Sequence, residues 1–155
     1  MTMKIKKILL TTDFSDYAHY ALTYAVEFAD KFKAEIGLLH VIEPIIAPTD
    51  FTWESYDIAE LEKKSREYTQ ESLDKIIREK IPDKIKATPI IRYGRSFEEI
   101  IRCAKEEEFD IIIMSTHGLT GISHILFGST AEKVVRKSPV PVLTVRDPEH
   151  KFEML

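Results

Sequence analysis

Apolar positions along this chain switch repeatedly between the period of a strand and that of a helix. Five short runs read as strands: Ile5 to Thr11 (IKKILLT), Glu35 to Ile42 (EIGLLHVI), Lys86 to Tyr93 (KATPIIRY), Asp110 to Met114 (DIIIM) and Pro139 to Arg146 (PVPVLTVR). Ile8-Leu9-Leu10 and Ile111-Ile112-Ile113 are continuously apolar, as strands covered on both faces must be. Between the strands the spacing becomes helical. Ala18, Ala21, Leu22, Ala25, Phe28, Ala29 and Phe32 predict a helix that starts at a Ser15 N-cap, carries Asp16 in its first turn and runs to about Lys33. Glu54 to about Lys80 predicts a long charged helix with a stripe at Ile58, Leu61, Tyr68, Leu73, Ile76 and Ile77. Ser96 is the expected cap of a helix from Phe97 to about Glu107, with Ile100, Ile101, Cys103 and Ala104 turned to the sheet. The last helix opens at Gly128-Ser129 and runs to about Lys137, with Ala131, Val134 and Val135 on one stripe.

This alternation predicts an α/β fold: a five-stranded, parallel, doubly wound (Rossmann-like) sheet with right-handed crossovers and helices on both faces. Pro89 interrupts the third strand, and Pro139 and Pro141 fall in the fifth. Proline donates no hydrogen bond to a neighbouring strand, so both strands belong at edges and the expected order is 3-2-1-4-5. The order then reverses between strands 1 and 4, and ligands bind beyond the carboxyl ends of strands at such a reversal. The loops that meet there are Thr12–Ser15 and Ser115–Gly128.

Composition narrows the function. The 155 residues suit one domain, residues 1–155, and a net charge of −4 with a pI near 5.8 argues against a nucleic-acid partner. One cysteine, Cys103, cannot form an internal disulfide or a cysteine-based metal cluster, and its place on a helix stripe predicts a small core residue. No apolar run is long enough to span a bilayer or to act as a signal peptide, so a cytoplasmic protein with no membrane partner is expected. The apolar connection from Pro44 to Trp53 is expected to fold onto the following helix, and Asp147 to Leu155 reads as a tail.

The stretch DIIIMSTHGLTGISHILFGSTAEKVV, from Asp110 to Val135, carries the candidate chemistry. It joins an apolar strand, a glycine-bearing loop and a new helix start. A helix N-terminus presents unpaired N–H groups with partial positive charge, and glycine lets an anionic ligand approach the backbone. The pattern is neither GxxxxGK[ST] nor GxGxxG. His117 is the titratable side chain of the first part of this loop, with backbone bonding its expected role. Glu98/Glu99 and Glu106 to Glu108 are expected on a solvent-facing surface, no metal-ligand spacing relates the histidines, and no nucleophile motif is present. No catalytic residue is assigned.

The segments KKILLTTDFSDYAHYAL, LLHVIEP and MSTHGLTGISHILFGSTAEKVVRKSPVPVLTVR resemble the universal stress protein family over nearly the whole chain. ATP-binding members carry G-x2-G-x9-G-[ST]; here Gly118, nine residues, Gly128 and Ser129 match, and Ser115 replaces the first glycine. The resemblance implies that Thr12 and Asp13 lie at the ribose, with the Asp13 carboxylate accepting from sugar hydroxyls, and that the Val41 backbone pairs with the adenine edge. It implies that Met114 and Ser115 line base and sugar, and that Gly118, Gly128, Ser129 and Thr130 hold phosphates, with His117 in the same loop. The implied ligand is ATP, or AMP or ADP, with Mg2+ held mainly by the phosphates. The implied role is a regulatory nucleotide-binding module in the stress response, homodimeric through antiparallel pairing of Val140 to Arg146. The alternatives are a dimeric interaction protein of the same family that binds no nucleotide, which Ser115 favours, and a weak ATPase.

Overall fold

The computed structural model describes residues 4–44, 58–118 and 127–148. Its strands are β1 (Lys7–Thr11), β2 (Glu35–Ile42), β3 (Ala87–Tyr93), β4 (Ile111–Ser115) and β5 (Val142–Val145), and its helices are α1 (Asp16–Phe32), α2 (Ile58–Lys80), α3 (Ser96–Glu106) and α4 (Ser129–Lys137). All neighbours pair in parallel, in the order β3-β2-β1-β4-β5. Both strands expected at edges lie there, although only Pro89 is within its strand. Pro89 sits in edge strand β3 opposite Leu38, while β5 begins only after Pro141 and is shorter than the expected Pro139–Arg146.

Strand period two divides the core between the two faces. Ile8, Leu10, Ile36, Leu38, Ile111 and Ile113 pack beneath α1 and α2, against Ala21, Ala25 and Leu73. Leu9, Leu39, Ile112 and Met114 point the other way, onto Ile100, Cys103 and Ala104 of α3 and Ala131 and Val134 of α4. Asp110 fixes the start of β1 against β4, since its Oδ2 accepts the Lys6 and Lys7 N–H groups at 2.7 and 2.9 Å. Ser15 caps α1 as expected, its hydroxyl accepting the Ala18 N–H at 3.3 Å. Cys103 is fully buried, and burial, with the Glu107 carboxylate beside it, pushes its thiol up to about 12. It is a core residue with no thiolate character at neutral pH.

Four expectations are corrected, the first on α4, where Val135 is exposed while Ala131 and Val134 are buried. Ser96 is not a cap: Arg95 holds the cap position without a side-chain bond, and the Ser96 N–H instead donates to the Glu43 carboxylate at 2.9 Å. Glu99 does not face solvent; it is 6% exposed, packed beneath Gly94 and ion-paired to Arg102. On α2 the stripe divides, with Leu73 buried and Ile76 and Ile77 packed against the core, but Ile58, Leu61 and Tyr68 exposed. The expected loop from Pro44 to Trp53 lies, after Pro44, outside the described residues, as do residues 54–57, 119–126 and 149–155.

Candidate functional site

At the carboxyl end of the sheet, where the order reverses between β1 and β4, a cleft of about 280 Å3 opens. Its wall contains Thr12, Asp13, Val41, Met114, Ser115, His117, Gly118, Gly128, Ser129 and Thr130. Three chain segments far apart in sequence thus bring every residue expected at a site to one place.

The β1–α1 turn is held rigidly. The Phe14 N–H donates to Thr12 Oγ1 and the Ser15 N–H to Asp13 Oδ1, each at 3.0 Å, and the Ser15 hydroxyl also donates to Asp13 Oδ1. Phe14 takes a left-handed φ of 63°, and its ring lies 4.5 Å from that of His40, whose Nδ1 bonds to the Thr12 carbonyl at 2.8 Å. One oxygen of Asp13 is thereby spent on the helix cap. The other stands beside Gly118, where an added Cβ would come within 2.4 Å of it. Gly118 is required for space. Gly128 is a second close approach, since a Cβ there would lie 3.2 Å from the Thr116 carbonyl oxygen.

Helix N-termini at the cleft differ in how they are satisfied. Ser15 and Asp13 close α1. Glu43, just past β2, closes α3, and the bonds from Ser96, with the Lys133 charge nearby, hold its carboxyl below the usual range. At α4 the Gly128 N-cap provides no side-chain bond, so the first N–H groups of that helix have no capping side chain. The Gly128 N–H itself donates to the Thr116 carbonyl at 2.7 Å, which ties the start of α4 to the end of β4. Of the two helix starts on the α3/α4 face, α4 is the one with no capping side chain among the described residues, which suits an anion.

His117 is buried, with Nδ1 3.0 Å from the Thr116 hydroxyl. The Ser115 hydroxyl donates to the His117 carbonyl at 2.6 Å, so the residue that replaces the motif glycine braces its own loop. The cleft also includes Thr11, Leu39, His40, Glu43, Ser96, Ile100, Thr116 and Ala131, which motif reading did not single out. For Leu39, His40 and Thr116 a signal existed, their place at strand carboxyl ends. Glu43 and Ser96 are joined only by tertiary structure. Among the described lining residues there is no lysine or arginine.

An open α/β sheet with a polar crevice at its switch point and an uncapped helix start defines a class of small-ligand binding domains. Comparison with known proteins narrows this. Residues 4–146 match the model of the universal stress protein family. Universal stress protein MJ0577 of Methanocaldococcus jannaschii is 37% identical over 158 aligned positions, covering 94% of this chain and 98% of that one. The solved structure of MJ0577 superposes with a TM-score of 0.80 at 38% identity, covering 96% and 99%. The structure of the Archaeoglobus fulgidus universal stress protein in complex with dAMP shares the fold, with a TM-score of 0.60 at 18% identity and 92% and 98% coverage. This chain belongs to the universal stress protein family.

Proposed function

We propose that this chain binds an adenine nucleotide, ATP or its product AMP or ADP, as a regulatory module of the stress response in the cytoplasm. The observation that carries the reading is the α4 N-terminus, with no capping side chain among the described residues, inside a cleft that also includes Asp13 and Val41. Phosphates placed at Gly128, Ser129 and Thr130 receive helix N–H groups and two hydroxyls, while Gly118 and Gly128 keep the approach clear. Val41 and Met114, at the ends of β2 and β4, form the apolar part of the wall for a base. Asp13, in the wall of the cleft, is the proposed acceptor for the sugar hydroxyls. The A. fulgidus relative is described with dAMP, a ligand of the same class.

Among the described residues no group of three His, Cys, Asp or Glu side chains could hold a metal ion, so Mg2+ would arrive on the phosphates and find Asp13 as the nearby carboxylate. With no lysine or arginine in the described wall to stabilise a transferring phosphoryl group, the site is built for retention more than for turnover.

The test begins with protein purified without added nucleotide, denatured and chromatographed for released adenine nucleotide, followed by titration with Mg2+ and ATP. Gly128→Val should lower ATP affinity at least tenfold by filling the approach beside the Thr116 carbonyl, with little change in melting temperature. Absence of binding at millimolar ATP, or unchanged affinity in Gly128→Val, would shift the assignment to a nucleotide-free interaction protein.

The homodimer is proposed through the β5 edge, which has a neighbour on one side only, β4. An edge of this kind accepts another strand. Light scattering should then give twice the 17.9 kDa chain mass, and a monomer would remove the proposal.

A further inference from the structure

A concavity of about 970 Å3 lies at the opposite end of the sheet from the proposed nucleotide cleft, between the last turn of α1, the starts of β1 and β2, and the approach to β3. Seven lysines and two carboxylates line it, a local excess of +5 in a chain whose net charge is −4. Six of these lysines, Lys4, Lys6, Lys31, Lys33, Lys84 and Lys86, are exposed. Lys7 is the exception. It is half-buried, donates to the Glu107 carbonyl and lies 4.8 Å over the Phe109 ring.

Local structure does not use up this charge. Lys33 and Lys84 share the single carboxylate of Asp30, at 3.3 and 2.8 Å, and Lys86 pairs with Glu35 at 2.8 Å. Exposed pairs of this kind contribute little and exchange partners readily. The ammonium groups of Lys4, Lys6 and Lys31 have no ion-pair partner among the described residues. Lysines near the α1 C-terminus do complement the helix dipole, but Lys4, Lys6, Lys84 and Lys86 lie on other segments. Between the lysines the floor is apolar, with Ile5, Ala34 and Ile85 buried and the Phe32 ring 41% exposed.

We propose that this groove docks an acidic segment of a partner protein, an extended peptide whose carboxylates meet the lysine rim while one large apolar side chain rests on Phe32. Backbone chemistry separates this occupant from a compact phosphate. The Ala34 N–H returns to the Ala29 carbonyl, the Glu35 N–H is taken by the Lys6 carbonyl and the Ile36 N–H by the Lys86 carbonyl. The helix end that enters the groove is the carbonyl end of α1. The donors that remain are dispersed lysines, which suit carboxylates spaced along a chain. A long nucleic acid needs a basic track longer than this groove on a chain of net charge −4, and no arginine lines the groove to grip its phosphates. The site is independent of the nucleotide cleft.

The probe is a labelled peptide of glutamates flanking one phenylalanine, followed by fluorescence anisotropy on the full chain. A matched peptide with alanine at the centre and an oligothymidylate of equal charge serve as comparators. Lys6→Glu with Lys31→Glu should weaken the phenylalanine peptide about tenfold, as should a rise in salt that shortens the Debye length. Lys4→Gln with Lys31→Gln provides a milder pair should the reversals disturb folding, with weakening of several-fold expected. Phe32→Ser should weaken the phenylalanine peptide alone, bringing it level with the alanine peptide. Unchanged affinity in a well-folded lysine pair variant, equal effects of Phe32→Ser on both peptides, or tighter binding of the oligothymidylate would each overturn the proposal.

Discussion

Gly118→Ala is expected to lower nucleotide affinity about a hundredfold, although it adds one methyl group. The new Cβ would sit 2.4 Å from Asp13 Oδ2, well inside contact distance. Asp13 cannot yield freely, because its other oxygen is held by the Ser15 N–H and hydroxyl, which in turn set the start of α1. Turning the carboxylate away removes a charge-assisted bond to the ligand, about 2–3 kcal/mol, which is the hundredfold. The accompanying loss of the Asp13–Ser15 bonds costs about 1 kcal/mol of stability, so folding should survive. A double-mutant cycle isolates the mechanism. In an Asp13→Ala background the clash has no partner, and adding Gly118→Ala should change affinity by less than about twofold. A further large loss in that background would show that Gly118 acts on the ligand directly and not through Asp13.

Gly37→Val should be the most destabilising single change in the sheet. Gly37 lies within β2, paired to Leu9 on one side and Thr88 on the other. A Cβ there would meet Phe109 Cζ at 2.4 Å and Ile90 Cδ1 at 2.8 Å. Phe109 is 5% exposed and is covered on its outer side by Lys7, so its ring has little room to move. Glycine in a strand interior normally costs stability; here its missing side chain is the space that Phe109 fills. Overpacking with a branched side chain should cost about 3 kcal/mol, roughly 10 °C in melting temperature for a chain of this size. Phe109→Ala in the same background should restore part of that loss, since it removes the obstructing ring. Equal melting temperatures for Gly37→Val and the parent would mean that β2 and Phe109 can separate without cost.

The family assignment also gives the lysine groove its interest. The proposed nucleotide site at the carboxyl ends of the strands and the proposed docking groove at their amino ends would let one chain sense a small molecule and hold a protein partner on separate surfaces. The sheet between them is a rigid body of buried Ile, Leu and Met. Coupling between the two would appear as a shift in peptide affinity on adding nucleotide, reciprocal by linkage.

Much of this protein was legible without coordinates, because its signals are local. Apolar runs bounded by charged helices marked five strands, and the prolines marked two of them as edges, Pro89 from within β3 and Pro139 and Pro141 from the segment just before β5. The order of the sheet then fixed where Thr12–Ser15 and the glycine loop had to meet, and the ten candidate residues do line one cleft. Helix ends were less legible. Ser96 has the chemistry of a cap but becomes the first helical residue, because Glu43, fifty-three positions earlier, supplies the acceptor from the end of β2. Glu99 reads as a surface charge until Gly94 and Arg102 are seen to enclose it. Tertiary structure alone decided three further matters: that Gly118 is glycine on account of Asp13, that Gly37 leaves room for Phe109, and that lysines from three segments gather into one groove. Hydrophobic period and proline act over a few residues and can be read from a string. Steric exclusion and the pooling of charge depend on which distant residues become neighbours, and only the folded chain brings them together.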